Sequence, residues 1–138
     1  MNAGKTASGQ CLCGKVEITV SQINNQVGAC HCGMCRRWGG GPFFAIECSD
    51  AVKVKGEEHI TVYPSSDWAE RGFCKYCGTH LFYRLRQNDF HVIPAGLLNI
   101  DADLVFDHQV FIDEKPAFYD FANKTQNMTG EEVFARFT

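Results

Sequence analysis

Seven of the eight cysteines fall into three tight groups: Cys11-Leu12-Cys13, Cys30-His31-Cys32-Gly33-Met34-Cys35 and Cys74-Lys75-Tyr76-Cys77. Any fold of this chain has to accommodate them. Alternate Cα atoms on an extended strand lie roughly 6.5 Å apart, whereas sulfurs around one tetrahedral zinc lie roughly 3.8 Å apart. A CxC pair therefore sits on a tight bend if its sulfurs converge. Gly14 after Cys13 and Gly78 after Cys77 supply the backbone freedom for such bends. A disulfide within Cys11–Cys13 would close a small, strained ring. The opening residues Met1-Asn2-Ala3-Gly4-Lys5 lack the apolar run of a signal peptide. The expectation is a cytoplasmic chain with reduced thiols that bind metal, not a disulfide framework.

The groups offer two, three and two thiols. Pairing the outer two gives Cys11, Cys13, Cys74 and Cys77, a closed four-cysteine site of structural type. Cys30, Cys32 and Cys35 are then left as three ligands with one coordination position open, the pattern of a catalytic zinc. A second partition joins Cys32 and Cys35 to Cys74 and Cys77 as a zinc ribbon and leaves Cys11, Cys13 and Cys30; spacing admits both. The first keeps each local group whole. An open three-thiolate zinc is anionic, a weak Lewis acid and suited to a further soft ligand such as a thiolate. Arg36 and Arg37, directly after Cys35, can offset that charge or pair with carboxylates of an anionic ligand. The competing reading closes the central site with His31, His59, His80 or His108, giving two structural zincs and a non-enzymatic interaction module.

Between the groups the pattern is that of strands. Val16–Val20, Val52–Lys55 and His59–Tyr63 alternate apolar and polar residues. Phe43–Cys48, Thr79–Leu85, His91–Pro94 and Val105–Ile112 read as further strands, and Gly33–Trp38 as one helical turn broken by Gly39-Gly40-Gly41-Pro42. Glu131–Phe137 reads as a terminal helical turn, and Ala95–Ile100 fits either a brief helix or a loop. Residues 1–8 are small and polar and are expected to be a flexible terminus, with residues 9–138 forming one mainly β domain. A formal charge of -3 leaves no basic patch for nucleic acid, and no apolar run reaches the roughly 18 residues of a membrane span. Cys48 stands outside the pairs as a small buried hydrophobe.

Three motifs in order suggest a family: Gly-x-Cys-x-Cys-Gly at Gly9–Gly14, Cys-His-Cys-x-x-Cys-Arg at Cys30–Arg36, and Phe-Cys-x-x-Cys-Gly-Thr-x-Leu at Phe73–Leu81. This order resembles the glutathione-dependent formaldehyde-activating enzymes, bacterial relatives of the centromere protein V group. The resemblance is close over residues 9–85 and weaker from His108 to Phe121. It implies the Mss4-like (β-tent) fold of twisted antiparallel sheets with zinc knuckles. It also implies a structural zinc on Cys11, Cys13, Cys74 and Cys77 and a catalytic zinc on Cys30, Cys32 and Cys35. The implied activity is that of a carbon–sulfur lyase, run in either direction, with glutathione and formaldehyde as partners. Arg36, Arg37, Trp38 and Phe44 are candidates for substrate contact, and His108 is one by resemblance alone. A methionine sulfoxide reductase of the same fold needs a redox cysteine outside the zinc set. Here only Cys48 is spare, and no cysteine follows Cys77.

Overall fold

A computed structural model describes residues 5–48, 52–100 and 104–136. In chain order the strands are β1 (Lys5–Gln10), β2 (Glu17–Ile23), β3 (Gln26–Cys30), β4 (Phe43–Cys48), β5 (Val52–Lys55), β6 (Ile60–Tyr63), β7 (Ala69–Cys74), β8 (His80–Leu85), β9 (His91–Pro94), β10 (Val105–Val110) and β11 (Gln126–Met128). Two short helices, α1 (Gly33–Gly39) and α2 (Gly130–Arg136), complete the set. The chain is mainly β, as its alternating pattern predicts. No described helix is long and apolar enough to cross a membrane.

The chain divides into two compact units. The first comprises described residues up to Asn25 and from Ile46 to Ile100, and the second Gln26–Ala45 and the residues from Leu104 onward. In the first, β1, β2 and β5 form a three-stranded antiparallel sheet in the order β1-β2-β5. Along β2 the alternation buries Ile18 and Val20 and turns Glu17, Thr19 and Ser21 outward. Gln22, at φ 56°, interrupts the register opposite β1 and returns Ile23 to the interior, the effect of a β-bulge. Strands β6 to β9 follow as an antiparallel meander. Val16, Ile46, Leu81 and Ile93 are fully buried.

Residues 5–8, expected to be frayed, belong to β1; residues 1–4 lie outside the described part. Small residues conceal this strand, because its inward positions are Ala7 and Gly9. Gly9 has no alternative there: a Cβ would stand 1.7 Å from the Leu97 carbonyl oxygen. Of the undecided stretch Ala95–Ile100, Ala95–Leu97 forms a 3-10 turn. Cys48 is buried, and its thiol faces the Ile46 carbonyl at 3.7 Å.

The second unit departs from purely antiparallel pairing. β3 pairs antiparallel with β4 but parallel with β10, and β10 pairs parallel with β11. Cys30, the last residue of β3, stands opposite Val110, the last of β10. Both strands thus leave the sheet at the same edge. Phe111, at φ 56°, turns the chain there, and its ring lies over Gly130 and edge-on to Phe134 at 5.7 Å. α2 begins with a reciprocal cap. The Thr129 N–H donates to Glu132 Oε1 at 2.8 Å, and the Glu132 N–H donates to Thr129 Oγ1 at 3.2 Å.

Candidate metal centres and their surroundings

In the first unit, Cys11 and Cys13 stand on the turn between β1 and β2. The Gly14 N–H donates to the Cys11 carbonyl at 3.0 Å with Gly14 at φ 84°, and the Val16 N–H donates to Cys11 Sγ at 3.3 Å. Cys74 ends β7. The Gly78 N–H closes the second knuckle on the Cys74 carbonyl at 2.8 Å, with Gly78 at φ 77°. Both glycines adopt the left-handed geometry that the sequence requires of them.

The four sulfurs converge. Cys11 and Cys13 Sγ are 3.6 Å apart, Cys13 and Cys74 Sγ are 3.7 Å apart, and all four lie within 4.8 Å of one another. These spacings match the roughly 3.8 Å edge of a tetrahedral zinc–thiolate site. Thr79 ties the two knuckles together, accepting the Leu12 N–H at 3.1 Å and lying 3.2 Å from Cys77 Sγ. With its oxygen already accepting, its hydroxyl donates to sulfur, and this hydrogen bond pulls the Cys77 thiol down to about 5. A thiolate is the form a metal needs.

In the second unit, Cys30, Cys32 and Cys35 also lie within 4.8 Å of one another by sulfur. Cys30 ends β3. Cys32 caps α1 in extended geometry and accepts the Cys35 N–H on sulfur at 3.3 Å. Hydrogen bonds from Cys30 and then Cys35 hold the Cys32 thiol far below its ordinary range, and the same contacts drive Cys30 up. Among the described residues, no histidine or carboxylate joins this three-sulfur group.

His31 does not complete the group. It is fully buried, with Nδ1 2.8 Å from the Tyr119 hydroxyl and Nε2 2.7 Å from Gln109 Oε1. Burial lowers its pKa, against the opposing pull of Gln109. His108 is committed as well, with Nδ1 2.6 Å from Asp107 Oδ1 and its ring lying over Gly28. His59 and His80 belong to the first unit. His80 donates from Nε2 to the Phe82 carbonyl at 3.1 Å, and His59 stands edge-on to Tyr76 at 5.3 Å.

The candidate contact residues separate. Arg36 and Arg37 line an open groove of about 250 Å³ with Gly33, Gly40, Gly41 and Phe118. The Arg36 Nε–H donates to the His31 carbonyl at 2.9 Å, fixing the base of that side chain. Gly40, at φ 89°, ends α1 through an N–H to the Arg36 carbonyl at 2.7 Å. Trp38 and Phe44 are partly exposed but do not line this groove. Phe44 instead packs edge-on to Phe106 at 5.5 Å and Phe121 at 5.4 Å. His108 also lies outside the groove lining. Several neighbours were not singled out in the sequence: Gln109, Tyr119, Thr125 and Glu114, whose Oε1 accepts the Gly33 N–H at 2.9 Å. They sit 78 to 88 residues from the atoms they touch in the cases of Gln109 and Tyr119, beyond the reach of any spacing rule.

The profile of the glutathione-dependent formaldehyde-activating enzymes matches residues 6–114. The chain belongs to this family. It is 40% identical over 126 residues to a protein of Schizosaccharomyces pombe named an uncharacterized lyase, covering 91% of this chain and 92% of that one. A Halomonas elongata protein, provisionally named a glutathione-dependent formaldehyde-activating enzyme, is 34% identical over 83 residues, or 54% of this chain and 53% of the relative. A crystal structure of a Rhodobacter sphaeroides protein superposes with a TM-score of 0.59 at 29% identity, covering 69% of this chain and 90% of that one. Family membership and the observed strands agree with the Mss4-like fold implied by the motif order.

Proposed function

We propose that this family member is a zinc-dependent carbon–sulfur lyase and synthase acting on an adduct of glutathione with formaldehyde or a related aldehyde. The observation that carries the reading is the difference between the two cysteine groups. Four sulfurs make a complete site in the first unit, while three sulfurs in the second have no fourth protein ligand among the described residues. Cys11, Cys13, Cys74 and Cys77 would hold a structural zinc, and Cys30, Cys32 and Cys35 a second one. A zinc ion on the three-cysteine group would supply a coordination position for an exogenous thiolate.

The chain's own residues supply the remainder. Arg36 and Arg37 offer two guanidinium groups at a groove beside α1, matched to the two carboxylates of glutathione. The Cys35 N–H and the cap geometry of Cys32 keep the sulfurs on a rigid helix start. Glu114 fixes that start from the other side through the Gly33 N–H. The names of the relatives, one a lyase and one a glutathione-dependent formaldehyde-activating enzyme, support the same assignment.

The test is the rate of adduct formation and breakdown with glutathione and formaldehyde, wild type against Cys32→Ser. Acceleration by wild type that Cys32→Ser lacks is expected. Equal rates in the two proteins sink the assignment. X-ray absorption showing two zincs, each with a full set of protein ligands and no exogenous thiolate when glutathione is added, would instead favour an interaction module.

A further inference from the structure

Arg36 and Arg37 account for the charge of the groove beside α1 but not for its one apolar side chain. We propose that Phe118 is a specificity-determining residue of this groove: its ring packs on the carbon chain of the glutathione moiety whose carboxylates the two arginines hold. The inference rests on the carbon–sulfur reading above, and it concerns a residue outside residues 6–114, the stretch that the family profile matches.

The lining of the groove is chemically spare. Gly33, Gly40 and Gly41 contribute backbone alone, and a Cβ on Gly40 or Gly41 would meet nothing within 4 Å, so that part of the floor is open. The side chains are those of Arg36, Arg37 and Phe118. Elsewhere guanidinium groups find carboxylates: Arg84 and Arg86 both pair with Glu70. Neither Arg36 nor Arg37 has such a partner among the described residues. The Arg36 Nε–H is taken by the His31 carbonyl at 2.9 Å, which leaves its terminal nitrogens for a ligand. Gly33 directly follows Cys32, so a ligand in the groove runs along the turn that carries the sulfurs.

Two cations alone select by charge, and any small dianion satisfies them. A ring adds a demand for carbon. Phe118 is 80% exposed, yet it does not stand on a loose tip. On one side Lys115 Nζ donates to the Pro116 carbonyl at 3.1 Å; on the other it donates to the Tyr119 carbonyl and pairs with Asp120 at 2.6 Å. Tyr119 is itself tied down, with its hydroxyl 2.8 Å from His31 Nδ1, and its ring meets that of Phe118 edge-on at 4.9 Å. The segment is held on both sides of a side chain that faces water. A ring fixed in this way offers contact area with little ordering cost on binding. The γ-glutamyl arm of glutathione has a matching make-up: a charged end, two methylenes, then the peptide that leads to the second carboxylate. The ends suit the guanidinium groups and the methylenes suit the ring.

Calorimetry with S-methylglutathione tests this. Its blocked sulfur forms no thiolate, so binding reads the groove rather than a zinc ion. Covering part of a phenyl ring predicts that Phe118→Ala weakens binding by about tenfold, and Phe118→Leu by about threefold or less. Apolar contact is not screened, so Phe118→Ala should keep the wild-type dependence on salt, whereas Arg37→Gln should bind more weakly and with a shallower dependence. Glutarate, which has two carboxylates and no peptide, should lose less than S-methylglutathione in Phe118→Ala. In turnover the loss should fall on KM for the adduct rather than on kcat. An NOE between the Phe118 ring protons and the ligand methylenes in wild type reads the contact without any variant. Unchanged affinity in Phe118→Ala, a loss that removes the salt dependence, or no such NOE overturns the inference. If wild type accelerates the reaction and any of these results holds, Phe118 alone is misassigned. If wild type neither binds S-methylglutathione nor accelerates the reaction, the carbon–sulfur reading fails and the role of Phe118 fails with it.

Discussion

Replacing Gln109 by leucine removes the centre of the hydrogen-bond chain that holds His31. Gln109 is 6% exposed and makes two bonds, to His31 at 2.7 Å and Thr125 at 2.8 Å. The two losses differ. Thr125 has an exposed neighbour in Asn127 and can turn to water, so its share is a net bond of about 1 kcal/mol or less. His31 is 0% exposed, and its Nε2–H would have no partner, which costs about 1–3 kcal/mol. Burying leucine in place of an amide recovers part of this. The expected net loss is about 2 kcal/mol, or about 6–10 °C in Tm for a chain of this size. Urea unfolding followed by tryptophan fluorescence, at matched metal content, measures it. A double-mutant cycle with His31→Leu isolates the buried bond. The two substitutions together should cost about 1–2 kcal/mol less than their sum, because the orphaned donor is then gone. Additivity within about 0.5 kcal/mol would refute the buried His31–Gln109 bond as the source of the effect.

Three further outcomes follow from the geometry. Cys13→Ser and Cys32→Ser should each remove one of two bound zinc ions as measured by elemental analysis, since each breaks one sulfur group and leaves the other whole. Gly9→Ala should destabilise by about 1–3 kcal/mol or more, because its Cβ meets the Leu97 backbone. Gly39→Ala, with open space around it, should stabilise α1 by up to about 1 kcal/mol. Thermal melts of the pair in parallel would expose a common error in the reasoning if both fell alike. Burial, and then Arg71, lower the His80 pKa from 6.5 to about 4. The folded state thus keeps His80 neutral while the unfolded chain takes up a proton below about 6.5. This contribution is complete above pH 6.5 and is lost as pH falls through 4, by at most about 3 kcal/mol. A His80→Gln variant should show a flatter stability profile than wild type in that window; parallel profiles would contradict it.

Each cysteine knuckle was legible because its residues are local, whereas the joining of Cys11 and Cys13 to Cys74 and Cys77 was one of two partitions that spacing admits. A CxC or CxxC spacing brings sulfurs together over two or three residues, and the glycines that permit it are adjacent. The strands that alternate strongly, such as β2 and β5, were legible for the same reason. β1 was not, because its inward residues are Ala7 and Gly9 and carry no hydrophobic signal. The parallel pairing of β10 with β3 was not legible either, since it joins stretches some 80 residues apart that have no short connection. The contacts that accompany that pairing were hidden with it: Gln109 and Tyr119 against His31, and Glu114 against the Gly33 N–H. The Thr129–Glu132 cap of α2 left a readable signal in the order threonine, two residues, glutamate.

Parallel alignment of β3 and β10 has an evolutionary corollary. Cys30 and Val110 end their strands side by side, so the stretch that holds the sulfurs and the stretch that faces them are encoded far apart and meet only in space. The family match stops at residue 114, after the first stretch and near the start of the second. The two stretches therefore constrain each other, because Tyr119 touches His31 directly and Thr125 touches it through Gln109.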